Sequence, residues 1–281
     1  MTETRDAPDL ADLLRSRYGP DAPRVDAATL PGHSVLETLL AHKSVRDHAP
    51  GPLPPGTLEM LAAAAQSAAS SSNLQTWSVV ALEDPEHKAE AARLCGDQDS
   101  IRRAPLLLVF CADLARLTAA SAHQGLPVAG LTYLEMFVTS VIDAALAAQN
   151  AAAAEGMGLG ICYIGAARNH PREMARLLGL PPRVFALFGM TVGHPAAGDT
   201  SAIKPRPPQP GLLHRGTYDG GARDESMTAY DETMSRFYAE QKMSARGPWS
   251  RHSAERVAGP EALSGRDVLR ERLHESGFEM K

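Results

Sequence analysis

Two hydrophobic rhythms run through this chain. Short, nearly unbroken apolar runs occur at Trp77–Leu82, Pro105–Ala112, Ile161–Ile164 and Val184–Val192. Each is bounded by turn formers and predicts a strand. Longer stretches repeat their apolar residues at helical spacing. They predict helices at Asp9–Arg17, from Leu36 into the charged cluster His42–Arg46, and over Thr57–Ala69, with Thr57 as N-cap. Asp84 and Pro85 open another, because a carboxylate can accept from the first-turn N–H groups and proline needs no donor there. Gly96 closes it where a positive φ is wanted. An Ala-rich helix follows at Leu131–Glu155, closed by Gly156. Asn169 and Pro171 open the next, closed by Gly179. The last two are Glu225–Gln241 and Arg266–Ser276, the latter ended by Gly277. The Pro-rich arm Pro195–Pro210 cannot join a central sheet. Helices and strands alternate loosely, which predicts an α+β or three-layer α/β class.

Composition narrows the function. The chain has 281 residues and a net charge of −5, so it lacks the strongly basic balance of a nucleic-acid binder. Its three cysteines, Cys95, Cys111 and Cys162, are odd in number and widely spaced. That excludes a disulfide framework and a paired-cysteine zinc site and predicts a reduced, cytoplasmic compartment. The first residues, Met1–Asp9, lack the apolar stretch of a signal peptide. The most apolar helical stretch carries Asp143, Gln149 and Asn150, which lipid would penalise.

Two apparent motifs fail on context. Gly156-Met-Gly158-Leu-Gly160 lies after a helix and before a strand, the reverse of a dinucleotide fingerprint, so it predicts a helix end. Ser201-Ala-Ile-Lys204 matches a serine-nucleophile pattern, but it stands beside prolines rather than at a helix start.

Three polar clusters remain: His42-Lys43-Ser44-Val45-Arg46, Ser70-Ser71-Ser72-Asn73-Leu74-Gln75, and Lys204-Pro-Arg206. On a helix, His42 and Arg46 would share one face. Each cluster alone is an ordinary solvated feature. Their order, with Cys95-Gly-Asp-Gln98, Ala148-Gln-Asn150, Gly158–Gly165, Arg168-Asn169 and Leu187-Phe-Gly189, resembles the nitroreductase superfamily. The nearest branch is the NADPH-dependent FMN flavin reductases and oxygen-insensitive nitroreductases. The resemblance covers about residues 33–281. Lys43 stands where that family usually has Arg, Ala166 where a second Gly is common, and Asp99-Ser100 where relatives have other polar pairs.

The resemblance implies an α+β, three-layer fold with a central, mainly antiparallel sheet flanked by helices, and domain-swapped arms in a homodimer. It implies an N-terminal extension over 1–32, an FMN-binding core over 33–210 and a C-terminal helical extension over 211–281 packing on the core or partner subunit. FMN would lie at the dimer interface. Lys43, Ser44, Lys204 and Arg206 would hold its phosphate, which suits convergent cationic donors. His42, Ser70, Ser71 and Ser72 would meet the ribityl chain or ring. Arg46 and Gln98 would face the polar ring edge, and Tyr163-Ile164-Gly165 would run beside the flavin. No side chain is required as a general acid. Arg246 is a candidate for the NADPH 2′-phosphate. The activity implied is two-electron transfer from NADPH to nitroaromatics, quinones or free flavins by a ping-pong mechanism. A flavin reductase serving a monooxygenase, another specialised flavoenzyme, and a non-catalytic FMN-binding protein are the alternatives.

Overall fold

The protein is described here by a computed structural model covering residues 10–24, 34–244 and 247–281. Met1–Asp9, and with it the signal-peptide expectation, lies outside the described residues. The chain forms two compact units, each built from separate stretches. The larger comprises Ser44–Thr200 and Ser264–Lys281, the smaller Met1–Lys43 and Ser201–Leu263.

The larger unit holds a four-stranded sheet of β1 (Trp77–Leu82), β2 (Leu106–Asp113), β3 (Gly160–Ile164) and β4 (Val184–Gly193), in the order β1-β2-β4-β3. All three pairings are antiparallel. The alternation of side chains in a strand explains the layers. Leu107, Val109 and Cys111 of β2 face one side, packing with residues of α4 (Pro85–Leu94), α5 (Asp99–Arg103) and α8 (Pro171–Leu177). Leu106, Leu108 and Phe110 face the other, with α3 (Thr57–Gln66) and α7 (Leu134–Ala151). Both faces of β2 are therefore covered, which is why its sequence is an unbroken apolar run. The fold is thus the α+β arrangement with a central antiparallel sheet that the resemblance implied. Near the chain end, α11 (Leu269–Glu275) places Leu273, followed by Phe278, in a third apolar cluster.

The smaller unit contains α1 (Leu10–Tyr18), α2 (Ser34–Ala41), α9 (Gly220–Glu240) and α10 (Trp249–Glu255). Its core includes Tyr230, Met234 and Phe237, with Trp249 packed against them. Asp219 caps α9 by accepting from Gly221 and Ala222 N–H, so that helix begins ahead of the predicted Glu225.

Several expectations are corrected. The helix expected to run into His42–Arg46 stops at Ala41. Val45 N–H instead donates to Ile161 O at 2.8 Å, and Ser44 bridges to Ile161 in parallel fashion. Residues 42–46 are extended because a pairing distant in sequence outcompetes local helical periodicity. Thr57 is the first residue of α3, not its cap. Gly56 holds the cap position with φ 83°, while the Thr57 hydroxyl donates to Pro54 O at 2.7 Å. The Ala-rich helix ends at Ala151 and continues as a tighter turn to Met157, closed by left-handed Gly158 rather than Gly156. The terminal helix starts at Leu269, later than Arg266. Three helices escaped the periodicity reading: α5, α6 (Ala115–Gln124) and α10.

One segment among the described residues, Leu134–Met157, is long and apolar enough to cross a membrane by composition alone. Its Asp143 is buried in the larger unit.

Candidate functional site

In the larger unit, the Ser44–Arg46 segment lies along β3. Val45 is buried and seated on Gly160, where an added Cβ would come within 2.6 Å of the valine side chain. In an extended chain the flanking residues point the other way. Arg46 is accordingly exposed and makes no hydrogen bond or ion pair among the described residues. The structure thus offers a serine and an uncommitted guanidinium on one face, replacing the expected helical pairing of His42 with Arg46.

The bridge to Ile161 also ties this segment to Tyr163 and Ile164 on the same strand and to Gly165 just after it. Tyr163 is partly exposed, and its hydroxyl donates to Gln149 Oε1 at 3.4 Å. Burial of its ring pushes the phenol pKa up. The Ile164 side chain is buried in the core, which leaves only its backbone for contact. Gly165 opens a short turn flanked by Arg168 and Arg266. Arg266 Nη1 donates to Gly165 O at 3.4 Å, and Arg168 donates to Leu187 O. Burial and the neighbouring Arg266 charge push the Arg168 pKa down. A cavity of about 180 Å³ opens here, lined in part by Arg168, Arg172, Arg266 and Arg272.

The Ser70–Gln75 loop is unusual in its backbone. Ser72, Asn73 and Gln75 all have positive φ, at 49°, 56° and 53°. Non-glycine residues persist there only when their surroundings over-determine them. The surroundings are Asp143, a side chain of α7 that is 1% exposed. Its carboxylate accepts from Ser70 Oγ (2.7 Å), Ser71 N–H (3.1 Å), Thr76 N–H (3.0 Å) and Thr76 Oγ1 (2.9 Å). Burial alone would raise the Asp143 pKa, but these four donors outweigh it and lower it overall. On the outer side, Arg116 of α6 donates to Gln75 O and Trp77 O. The Ser71 and Ser72 side chains are left exposed.

Gln98 sits at the corner between α4 and α5, its side-chain N–H donating to Cys95 O at 2.7 Å. The adjacent Gly96 and Asp97 have φ 80° and 60°, so this corner too is a tight, pre-set turn. All three cysteines are buried, and burial pushes the Cys95 and Cys111 thiols up to about 12. They are inert core residues.

In the smaller unit, the structure gathers His42, Lys43, Lys204 and Arg206. Lys43 Nζ donates to Ser201 O at 3.1 Å. Lys204 and Arg206 are exposed, with Arg206 Nη1 donating to Lys204 O at 3.1 Å. Beneath them lies Arg17, 5% exposed, which donates to Lys204 O, Leu40 O and His42 O. Arg246 lies outside the described residues.

Sequence reasoning missed Asp143, Arg17 and Arg266 as organisers of these segments. Asp143 carried a readable signal, a carboxylate inside an otherwise apolar helix. Arg17 and Arg266 carried none, since their partners lie far away in sequence.

Fit to a flavin mononucleotide can be judged from the donor set. Within the larger unit, a free guanidinium and exposed serine hydroxyls on a braced loop suit a polar ring edge; within the smaller unit, taken by itself, a strip of cations suits a phosphate dianion. The residues fit.

Residues 39–194 match the model of the Nitroreductase family, and residues 204–281 that of the Nitroreductase family, C-terminal domain. The FMN reductase (NADPH) of Bacillus subtilis (strain 168) is 41% identical over 212 residues, covering 74% of this chain and 84% of that protein. Among solved structures, the NfrA1 nitroreductase from B. subtilis superposes with a TM-score of 0.81 at 36% identity, covering 88% of this chain and 100% of that one. The NADPH:FMN oxidoreductase from Vibrio harveyi, solved with NAD+, gives a TM-score of 0.76 at 32% identity, covering 88% and 99%.

Proposed function

The chain belongs to the nitroreductase family, and from that premise we propose that it is a cytoplasmic, NADPH-dependent FMN oxidoreductase. The single observation that carries this reading is the donor set already described, which presents the groups a flavin and its phosphate need. Similarity to an FMN reductase (NADPH) and to an NADPH:FMN oxidoreductase supports it. FMN, when bound, supplies the two-electron hydride chemistry that amino-acid side chains lack.

The chain's own residues bind and orient. Lys43, Ser44, Lys204 and Arg206 hold the phosphate. His42 and Ser70–Ser72 hold the ribityl chain or ring. Arg46 and Gln98 face the polar ring edge, where Arg46 adds positive charge that favours the reduced, anionic ring. Tyr163-Ile164-Gly165 lines the flavin with backbone. No side chain is assigned a proton-transfer role. Arg246 remains the candidate for the NADPH 2′-phosphate.

The finer reading is a homodimer with domain-swapped arms, working by ping-pong kinetics on nitroaromatics, quinones or free flavins. An apolar stripe supports the dimer: Leu134, Val138, Ile142 and Leu146, one helical turn apart on α7, are 42–51% exposed. Equilibrium sedimentation returning a monomer would contradict that part. Initial rates against NADPH at several fixed concentrations of a quinone, a nitroaromatic and free FMN test the rest. Parallel reciprocal plots are expected. Intersecting plots for every acceptor would contradict the ping-pong order, and the acceptor with the highest kcat/KM identifies the substrate class.

A further inference from the structure

The N-terminal helix α1 lies ahead of both family-model segments, which begin at residues 39 and 204. It nevertheless contributes a buried cation to the smaller unit. Arg17 is the last-turn arginine of α1, anchored by Leu10 and Leu13 at 5% and 2% exposure. Its Nη2 donates to Leu40 O at 2.7 Å and to His42 O at 2.9 Å, and its Nη1 to Lys204 O at 3.0 Å. Its own carbonyl accepts from Arg206 N–H at 2.8 Å. One residue therefore stitches together two segments distant in the sequence, by side chain and by backbone. Tyr230 of α9 reinforces the second segment, donating from its hydroxyl to Pro205 O at 2.9 Å.

The chemistry of this arrangement is specific. Lys43, Lys204 and Arg206 carry like charge, so their mutual repulsion opposes bringing them together. A guanidinium is a planar fork with five donors, able to draw several carbonyls to one point. By taking up the Leu40, His42 and Lys204 carbonyls it fixes the backbone from which those cations project. It also adds a further positive charge in a poorly hydrated position. Such a strip is suited to a compact dianion and indifferent to an uncharged ligand.

We propose that Arg17 is a positioning residue for the flavin phosphate, through which the N-terminal helix pre-organises the His42-Lys43 and Lys204–Arg206 segments. The inference rests on the FMN reading above. The test compares FMN with riboflavin, which is the same ring and ribityl chain without the phosphate. Dissociation constants for both are measured on the full-length wild type and on Arg17→Gln and Arg17→Lys.

Arg17→Gln is expected to weaken FMN about tenfold or more while leaving riboflavin affinity unchanged. Arg17→Lys, which keeps charge without the fork, is expected to show the same selective loss at smaller size. Equal weakening of FMN and riboflavin would mean that Arg17 merely supports the fold, and would overturn the proposal, as would unchanged FMN binding in both variants. If Arg17→Gln does not fold, the Arg17→Lys ratio decides by the same criteria. A wild type that binds FMN no better than riboflavin would instead refute the phosphate-binding reading itself, and the role of Arg17 with it.

Discussion

Two polar regions of this protein are braced by buried charges of opposite sign. In the larger unit, the Asp143 carboxylate collects N–H and O–H donors from the Ser70–Thr76 segment. In the smaller unit, the Arg17 guanidinium collects carbonyls from the segments at Leu40–His42 and Lys204. The anion holds a loop in left-handed conformations and leaves serine hydroxyls outward. The cation holds the C-terminal end of α2 and the Lys204 segment, and Lys204 and Arg206 are exposed. Each brace satisfies one kind of backbone group, N–H donors in the first case and carbonyls in the second. A buried charge here acts as a local template, and its sign follows from which backbone groups need gathering.

The largest expected effect breaks the anionic brace. Asp143→Asn is nearly isosteric, yet both carboxylate oxygens accept backbone N–H, from Ser71 and from Thr76. Whichever way the amide is turned, its NH2 faces one of those donors. A buried donor left unmade costs about 1–3 kcal/mol. Urea unfolding should show a lower midpoint at constant m-value, with faster hydrogen exchange across residues 70–76. Ser140→Ala, one turn earlier on α7, should leave that exchange unchanged. If Asp143→Asn leaves both midpoint and exchange as in the wild type, the brace is not needed.

A comparable effect is expected at the seat of the Ser44–Arg46 segment. A methyl at Gly160 would sit 2.6 Å from the Val45 side chain. Gly160→Ala should cost about 1–3 kcal/mol as overpacking. Adding Val45→Gly, which removes the Cβ and both Cγ atoms that the methyl would meet, should recover part of that loss, since the two sites share one contact. Purely additive losses would show that the contact is not what seats the segment.

Acid sharpens the comparison in two windows. His48 is buried, and desolvation lowers its pKa against smaller opposing contributions from the Gly193 backbone and Asp47. Its neutral form is therefore the one the fold holds. Its contribution is intact above the unfolded value of about 6.5 and declines as pH falls below it. Asp143 has a lowered folded pKa, so its contribution is present above about 3.9 and is lost as pH falls through the folded value. Stability measured against pH should decline first below the histidine value and again in strong acid. His48→Gln should remove the first decline alone, and Asp143→Asn should reduce the second.

The smallest effect is expected at the surface. Arg172 and Arg272 pair with Glu275, whose pKa they hold at about 2. These groups are solvent-screened, and Glu275→Gln should leave Tm within measurement scatter. A clear drop would mean that the α8–α11 pairing carries more than surface charge.

The elements were legible where the signal is local. The β2 and β4 runs are apolar at all but a few positions because both faces of the sheet are covered. Asp84 caps α4 as read, accepting from His87 N–H. Helix α6 was also within reach, since Asp113 accepts from Ala115 and Arg116 N–H at its start. The rest depends on partners far apart in sequence. Residues 42–46 carry helical spacing, and only the pairing of Val45 with Ile161 makes them extended. Asp143 was readable as a carboxylate out of place in an apolar helix, but not as the anchor of a loop some seventy residues earlier. Arg17 looked like the end of a short appended helix. Its carbonyl partner at Lys204 lies 187 residues away, beyond any periodicity.

The proposed activity is electron transfer from NADPH to FMN bound by this chain. Anaerobic mixing of the FMN-loaded protein with NADPH, without acceptor, tests it most directly. The flavin absorbance should bleach in a single rapid phase and return when a quinone is added. Absorbance that stays unchanged with saturating NADPH would contradict the account.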